Sequence, residues 1–190
     1  MDRVEDYLNG VAALLAGASR QEIRKAAELM LDAYRSCRQV FIMGNGGSAA
    51  TASHLACDLQ KTIGLCCDRK FRVMALTDNI PIMTAWANDF DYSDIFAQQL
   101  STWVEPGDLV IAISAGGNSP NIIKAVELAN EMGAVTIGLS GFDGGRLTQI
   151  ARHNILAPSD DMQHIEDAHM VFSHLIFRYL LEEFPRCSSP

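Results

Sequence analysis

No stretch of this 190-residue chain approaches the ~20 consecutive apolar residues that a membrane-crossing helix needs. Positive charge is scarce: 15 Lys and Arg stand against 23 Asp and Glu, a net charge of −8 that repels nucleic acid and anionic membranes. The first residues, Met1-Asp2-Arg3-Val4-Glu5-Asp6, lack the apolar centre of a secretory signal. There is no CxxC, and the five cysteines (Cys37, Cys57, Cys66, Cys67, Cys187) have no repeated spacing. An odd count with an adjacent Cys66-Cys67 pair points to reduced thiols and a cytoplasmic location rather than a disulfide framework. The nucleotide fingerprints are missing too. Neither GxGxxG with a following acidic ribose ligand nor GxxxxGK[ST] occurs, so no nucleotide cofactor is expected. Internal repeats, low-complexity tracts and linkers are likewise missing. Any phosphate held by so acidic a chain has to be held by local dipoles.

What is present is an ordinary globular composition, 48% hydrophobic and 20% charged, at a length that suits one domain. Apolar residues recur at helical spacing over 2–16. Ser19-Arg20-Gln21-Glu22 reads as a capping box that opens a second helix, with Ile23, Ala26, Ala27, Met30, Leu31 and Tyr34 on one side. Strands are expected at 39–43, 71–76, 109–113, 134–139 and 154–157. Helices are expected at 48–62, 81–88, 93–104, 118–132, 144–151 and 162–184, with Gly133 just past the end of one and Pro185 stopping the last. Strands that alternate with helices predict a three-layer α/β sandwich around a parallel sheet, with ligands beyond the carboxyl ends of the strands. Residues 1–36 form an N-terminal helical arm, a cap or an oligomerisation element, and 37–184 form the core of a single domain.

Two glycine-rich turns stand between a strand and a helix: Gly44-Asn45-Gly46-Gly47-Ser48 and Ser114-Ala115-Gly116-Gly117-Asn118-Ser119-Pro120. A helix N-terminus has unpaired N–H groups and partial positive charge, so it attracts anions. Either turn could be merely tight. Together they fit a small phosphate ester held by backbone N–H groups and the hydroxyls of Ser48, Ser114 and Ser119. His54 and Asp58, four residues apart, share a helix face and could hold one ion or simply pair locally. Glu166 and His174 are eight apart, about 12 Å along one helix, too far for one ion to take both from the same copy. Among the other groups, Glu166 and His169 read as a surface pair and His164 as exposed. Cys57 reads as a buried inert thiol, and Trp86, Trp103, Met30, Met74, Met83, Met132 and Met170 as packing groups.

The order GNGGSA (Gly44–Ala49), HxxxD (His54 to Asp58), TAWANDF (Thr84–Phe90), ISAGGNSPN (Ile113–Asn121) and IEDAHMVFSH (Ile165–His174) resembles the sugar isomerase (SIS) domain, most nearly the phosphoheptose isomerases. The resemblance runs from about residue 20 to 184. It implies a five-stranded parallel flavodoxin-like sheet and a homotetramer with active sites between subunits. It also implies conversion of sedoheptulose 7-phosphate to D-glycero-D-manno-heptose 7-phosphate. Carried over by position, Asn45, Gly46, Gly47, Asn88 and Asp89 contact the sugar, and Ser114, Ala115, Gly116 and Ser119 take the phosphate. His54, Asp58, Glu166 and His174 fall on zinc-binding positions. Three departures stand out. The family's serine-threonine-serine loop is Ser114-Ala115-Gly116 here, the catalytic glutamate is Asp58, and the C-terminal glutamine is Glu166.

An aldose–ketose interconversion needs a base beside the carbonyl and an acid to return the proton through a cis-enediol. A carboxylate and an imidazole suit those tasks. Asp58, or Glu166, is the expected base and His174 the expected acid. A zinc ion would polarise the carbonyl. The alternatives are an isomerase of another sugar phosphate, or a non-catalytic SIS protein of the replication-initiator-associating type.

Overall fold

The protein is described by a computed structural model that covers residues 2–66 and 69–184. The side chain of Cys66 and the expectations resting on Cys67, Pro185 and Cys187 lie outside the described residues. Two helices come first, α1 (Arg3–Gly17) and α2 (Arg20–Arg35). Each starts where a short polar side chain takes up a free N–H: Asp2 accepts from Val4, and Ser19 accepts from Glu22 at 3.3 Å. The core then alternates: β1 (Val40–Gly44), α3 (Gly47–Asp58), β2 (Val73–Ala75), α4 (Ile80–Asp89), α5 (Ala97–Trp103), β3 (Leu109–Ser114), α6 (Pro120–Glu131), β4 (Val135–Gly141), α7 (Gly145–Ile150), β5 (His153–Ala157) and α8 (Met162–Glu183).

All five strands are parallel, in the order β2-β1-β3-β4-β5. This is the flavodoxin-like order, with its switch point between β1 and β3. Residues alternate across the sheet as the pleat requires. Val40 and Ile42 face one core with α1, α2, α3 and α8, whereas Phe41 and Met43 face a second core with α5, α6 and α7. The three-layer expectation is met. Gly133 sits past α6 with a left-handed φ of +80°, and Ala134 N–H reaches back to Ala129 O at 2.9 Å.

Some boundaries and burials differ from expectation. α3 stops at Asp58 and passes into a π-helical turn, Leu59–Ile63, then a last turn, Gly64–Cys66. The expected helix over 93–104 is split into a 3₁₀ turn, Tyr92–Asp94, and α5. β2 is three residues long. Trp103 is 60% exposed and Met74 36%, so neither is a core group, and Cys57 is exposed rather than buried. His169 is no surface group: it is 1% exposed. His164 is half-buried, its ring meeting that of Tyr7 edge-on with centroids 4.5 Å apart. No described helix is long and apolar enough to cross a membrane.

Candidate functional site

The two glycine turns leave the carboxyl ends of β1 and β3, which are adjacent strands. The helices they launch, α3 and α6, have no side-chain cap from their N-cap residues. α6 begins with Pro120, which has no N–H, and its Ile122 N–H is taken by Ser119 O and Asn121 Oδ1, so the open N–H groups are those at the start of α3 and of Asn121. Ser119, at the cap position of α6, instead turns its hydroxyl to Ser114 Oγ at 3.3 Å. Between the turns lies a cleft of about 200 Å³, bordered by Asn45, Ser48, Ser114, Gly116, Ser119 and Glu166, among others. Ala115 also borders it. The second turn is held from behind: Gly141 N–H donates to Ala115 O at 2.7 Å and Leu147 N–H to Gly117 O at 2.8 Å. Gly117 has φ +63°, and a Cβ there would stand 2.1 Å from Gly144 O, so the close approach of the two loops requires glycine.

Glu166 comes from the first turns of α8, which Asp161 caps through the N–H groups of Gln163 and His164. Its carboxylate fills the space a side chain on Gly47 would occupy, since a Cβ there would be 2.7 Å from Glu166 Oε1. The carboxylate therefore rests at the N-terminus of α3, where the helix dipole favours negative charge.

Further along the same two helices is a second group. His54 Nε2 is 3.3 Å from Asp58 Oδ2, and His174 Nε2 is 3.0 Å from His54 Nε2 and 3.9 Å from Asp58 Oδ2. The side chains of His54 and His174 are about half exposed, while that of Asp58 is 27% exposed. These three ligand atoms lie within 4.8 Å of one another, the one such metal-competent set among the described residues. Ligands about 2.1 Å from a tetrahedral zinc stand roughly 3.4 Å apart. The trio's spacings bracket that value, and two imidazoles with a carboxylate are a suitable donor set for zinc. Three of the four expected ligands are thus together. Glu166 is not with them, being about 12 Å from His174 along α8. Asn88 and Asp89 lie at the exposed end of α4, bonded to each other at 2.8 Å, and do not border the cleft.

Two residues that carry no expectation from the sequence enter the site. Asn121, 1% exposed, pairs with the Asn45 carboxamide, and Tyr92 donates to the Asn45 oxygen at 3.1 Å. Asn121 closes the same motif that holds the second turn, but its pairing across 76 residues is a tertiary fact. His169 braces α8 from within: its Nε2 lies 3.0 Å from Ser140 O, one residue before the Gly141 N–H that holds the second turn. Burial pushes His169 down to about 4, against which the bond to Ser140 works weakly.

Residues 6–141 match the SIS domain. The chain is 37% identical to a phosphoheptose isomerase from Geobacter sp. (strain M21) over 87% of its own length and 86% of that protein's. It is 35% identical to a phosphoheptose isomerase from Aliarcobacter butzleri, covering 86% of each. Its fold superimposes on phosphoheptose isomerase GmhA from Neisseria gonorrhoeae with a TM-score of 0.88 and 27% identity, covering 95% of this chain and 97% of the other.

Proposed function

The chain belongs to the SIS domain family, among its phosphoheptose isomerases, and from that premise we propose that it is an aldose–ketose isomerase converting sedoheptulose 7-phosphate to D-glycero-D-manno-heptose 7-phosphate. The observation that carries the reading is a serine-lined anion cleft at the carboxyl ends of β1 and β3, bordered by the starts of α3 and α8, with a His–Asp–His group further along those two helices.

The phosphate is taken by Ser114, Ser119 and the backbone of Ala115 and Gly116, at the N-terminal end of α6. The chain has no hydroxyl at 115 or 116, so N–H groups carry more of the anion's charge. Asn45, Gly46, Gly47 and Ser48 hold the sugar. Substrate phosphate sits on C7 while the proton moves between C1 and C2, so the reacting end extends away from the cleft by most of the molecule's length. That displacement favours Asp58 and His174 over Glu166 as the reacting pair. Asp58 takes the proton from C1 of the ketose. His174 serves the oxygens, donating to the carbonyl oxygen as the cis-enediol forms and moving a proton between the two oxygens. A proton returned to C2 completes the aldose. Glu166, at the N-terminus of α3, accepts sugar hydroxyl hydrogens.

Zinc would be held by His54, Asp58 and His174, where it would polarise the carbonyl and offset enediolate charge. A fourth ligand in the position of Glu166 would have to come from a neighbouring copy. Asn88 and Asp89 do not border the cleft, and we assign their substrate contact to a face between copies. The half-exposed His54 and His174 and the exposed apolar residues Val4, Leu8 and Leu175 support a homotetramer with interfacial sites.

The reading is tested with sedoheptulose 7-phosphate in D₂O, with and without a chelator. Turnover should place deuterium on C2 of the aldose and should fall on chelation. Asp58→Asn and His174→Ala should each lower kcat by about 100-fold or more. Unchanged turnover in both variants overturns the assigned roles. No turnover of any five- to seven-carbon sugar phosphate by the parent chain overturns the enzyme.

A further inference from the structure

A carboxamide has two ends of the same shape and opposite chemistry, one a donor and one an acceptor. Asn45 borders the cleft, so the way its amide is turned decides which of these a ligand meets. Asn45 Nδ2 donates to Asn121 Oδ1 at 2.9 Å, and Asn121 Nδ2 donates back to Asn45 Oδ1 at 2.8 Å. That reciprocal pair alone would survive if both amides turned over together. The backbone removes the freedom. The N–H of Ile122, which can only donate, is shared between Ser119 O and Asn121 Oδ1, each at 3.0 Å. Turning Asn121 over would set an NH₂ group against that N–H at a fully buried position. Asn121 is therefore fixed with its oxygen toward Ile122, and Asn45 must present its oxygen to Asn121 Nδ2.

Tyr92 follows from the same logic. Its hydroxyl is 3.1 Å from Asn45 Oδ1, an acceptor, so the phenol must donate. Asn45 Oδ1 then accepts two hydrogen bonds and has no lone pair to spare. One Nδ2 hydrogen goes to Asn121, and the other has no protein acceptor among the described residues. Resting on the sugar-phosphate reading above, we propose that Asn121 and Tyr92 are positioning residues that lock the Asn45 carboxamide as an N–H donor toward the cleft. The lock selects a ligand bearing an acceptor oxygen there, anionic or carbonyl, and disfavours an ammonium group.

The test is a double-mutant cycle on the full chain, read as KM, kcat and calorimetric Kd for sedoheptulose 7-phosphate. Tyr92→Phe and Asn121→Ala should each weaken binding by about 3–10-fold, the range of one hydrogen bond, and raise KM more than they lower kcat. Asn45→Ala should weaken binding at least as much. Adding either substitution to Asn45→Ala should cost nothing further, because both act through that amide. Losses that persist in the Asn45→Ala background, or parent-like binding in both single variants, overturn the proposal. Tyr92 is 55% exposed, so Tyr92→Phe decides the matter if Asn121→Ala does not fold. A parent chain that binds the sugar phosphate without turning it over fails the isomerase reading and still decides the lock by Kd. A parent chain that does not bind it overturns both.

Discussion

Burial at 1% exposure leaves the His169 ring with one hydrogen bond, to Ser140 O, and a Nδ1 with no partner among the described residues. Charging that nitrogen would bury an uncompensated cation, which is why the group falls from 6.5 to about 4. The unfolded chain, by contrast, protonates near 6.5. Between those values the unfolded state binds the extra proton, so stability is full above about pH 6.5 and is lost as pH falls toward 4. The loss is on the order of 3 kcal/mol for this one group. Chemical denaturation midpoints measured from pH 7 to pH 4 should therefore drop less steeply in His169→Gln, which keeps an N–H donor and has nothing to protonate. An identical slope would show that His169 titrates normally. At the same scale, Glu166→Gln separates the two carboxylates. With Asp58 as base, Glu166→Gln should keep kcat within about 10-fold of the parent while Asp58→Asn does not. The reverse order would move the base to Glu166.

The elements were legible where chemistry is local. Ser19 marked the start of α2, Gly133 the end of α6, and the aliphatic run at 109–113 gave β3. The π turn after Asp58 was not legible, because the spacing of four between Leu55, Leu59 and Ile63 suits an α-helix and a wider π turn alike. Residue 169 had a readable signal that pairing it with Glu166 concealed. On α8 it lies beside the buried stripe of Ile165, Ala168, Phe172, Ile176 and Leu180. The association of α3 with α8 also makes a prediction. Gly47→Ala would push a methyl group into the Glu166 carboxylate, the mobile end of a side chain, so the fold should persist while KM for the sugar phosphate rises several-fold. Gly117→Ala meets a backbone carbonyl instead, with φ at +63°, and should lower thermal stability by more than the roughly 1 kcal/mol of an ordinary glycine effect. Equal melting temperatures for the two variants would contradict that contrast.

At the scale of the molecule, the parallel sheet and its order followed from the alternation of elements, and the two glycine turns were rightly drawn to one cleft. Residues 54, 58 and 174 could be grouped in advance only through family resemblance, since 116 residues separate Asp58 from His174 and no local pattern spans them. Asn121 and Tyr92 escaped because their roles depend on which loops the sheet brings face to face. An apolar groove of about 380 Å³ lined by Leu15, Ile23, Phe172, Leu175 and Tyr179, with the exposed Val4 and Leu8 of α1, leads to one further expectation. Light scattering should give four times the monomer mass, and Leu175→Asp should reduce both that mass and kcat. A fully active monomer would contradict the shared site. The outer strands bear on how any such assembly could form. β2 offers an edge of only three residues, a short template for a second copy's strand, and β5 one of five. Growth by strand addition, the route to fibres, has little template on the β2 side, so a copy that meets the molecule there would have to join through helices instead of extending the sheet.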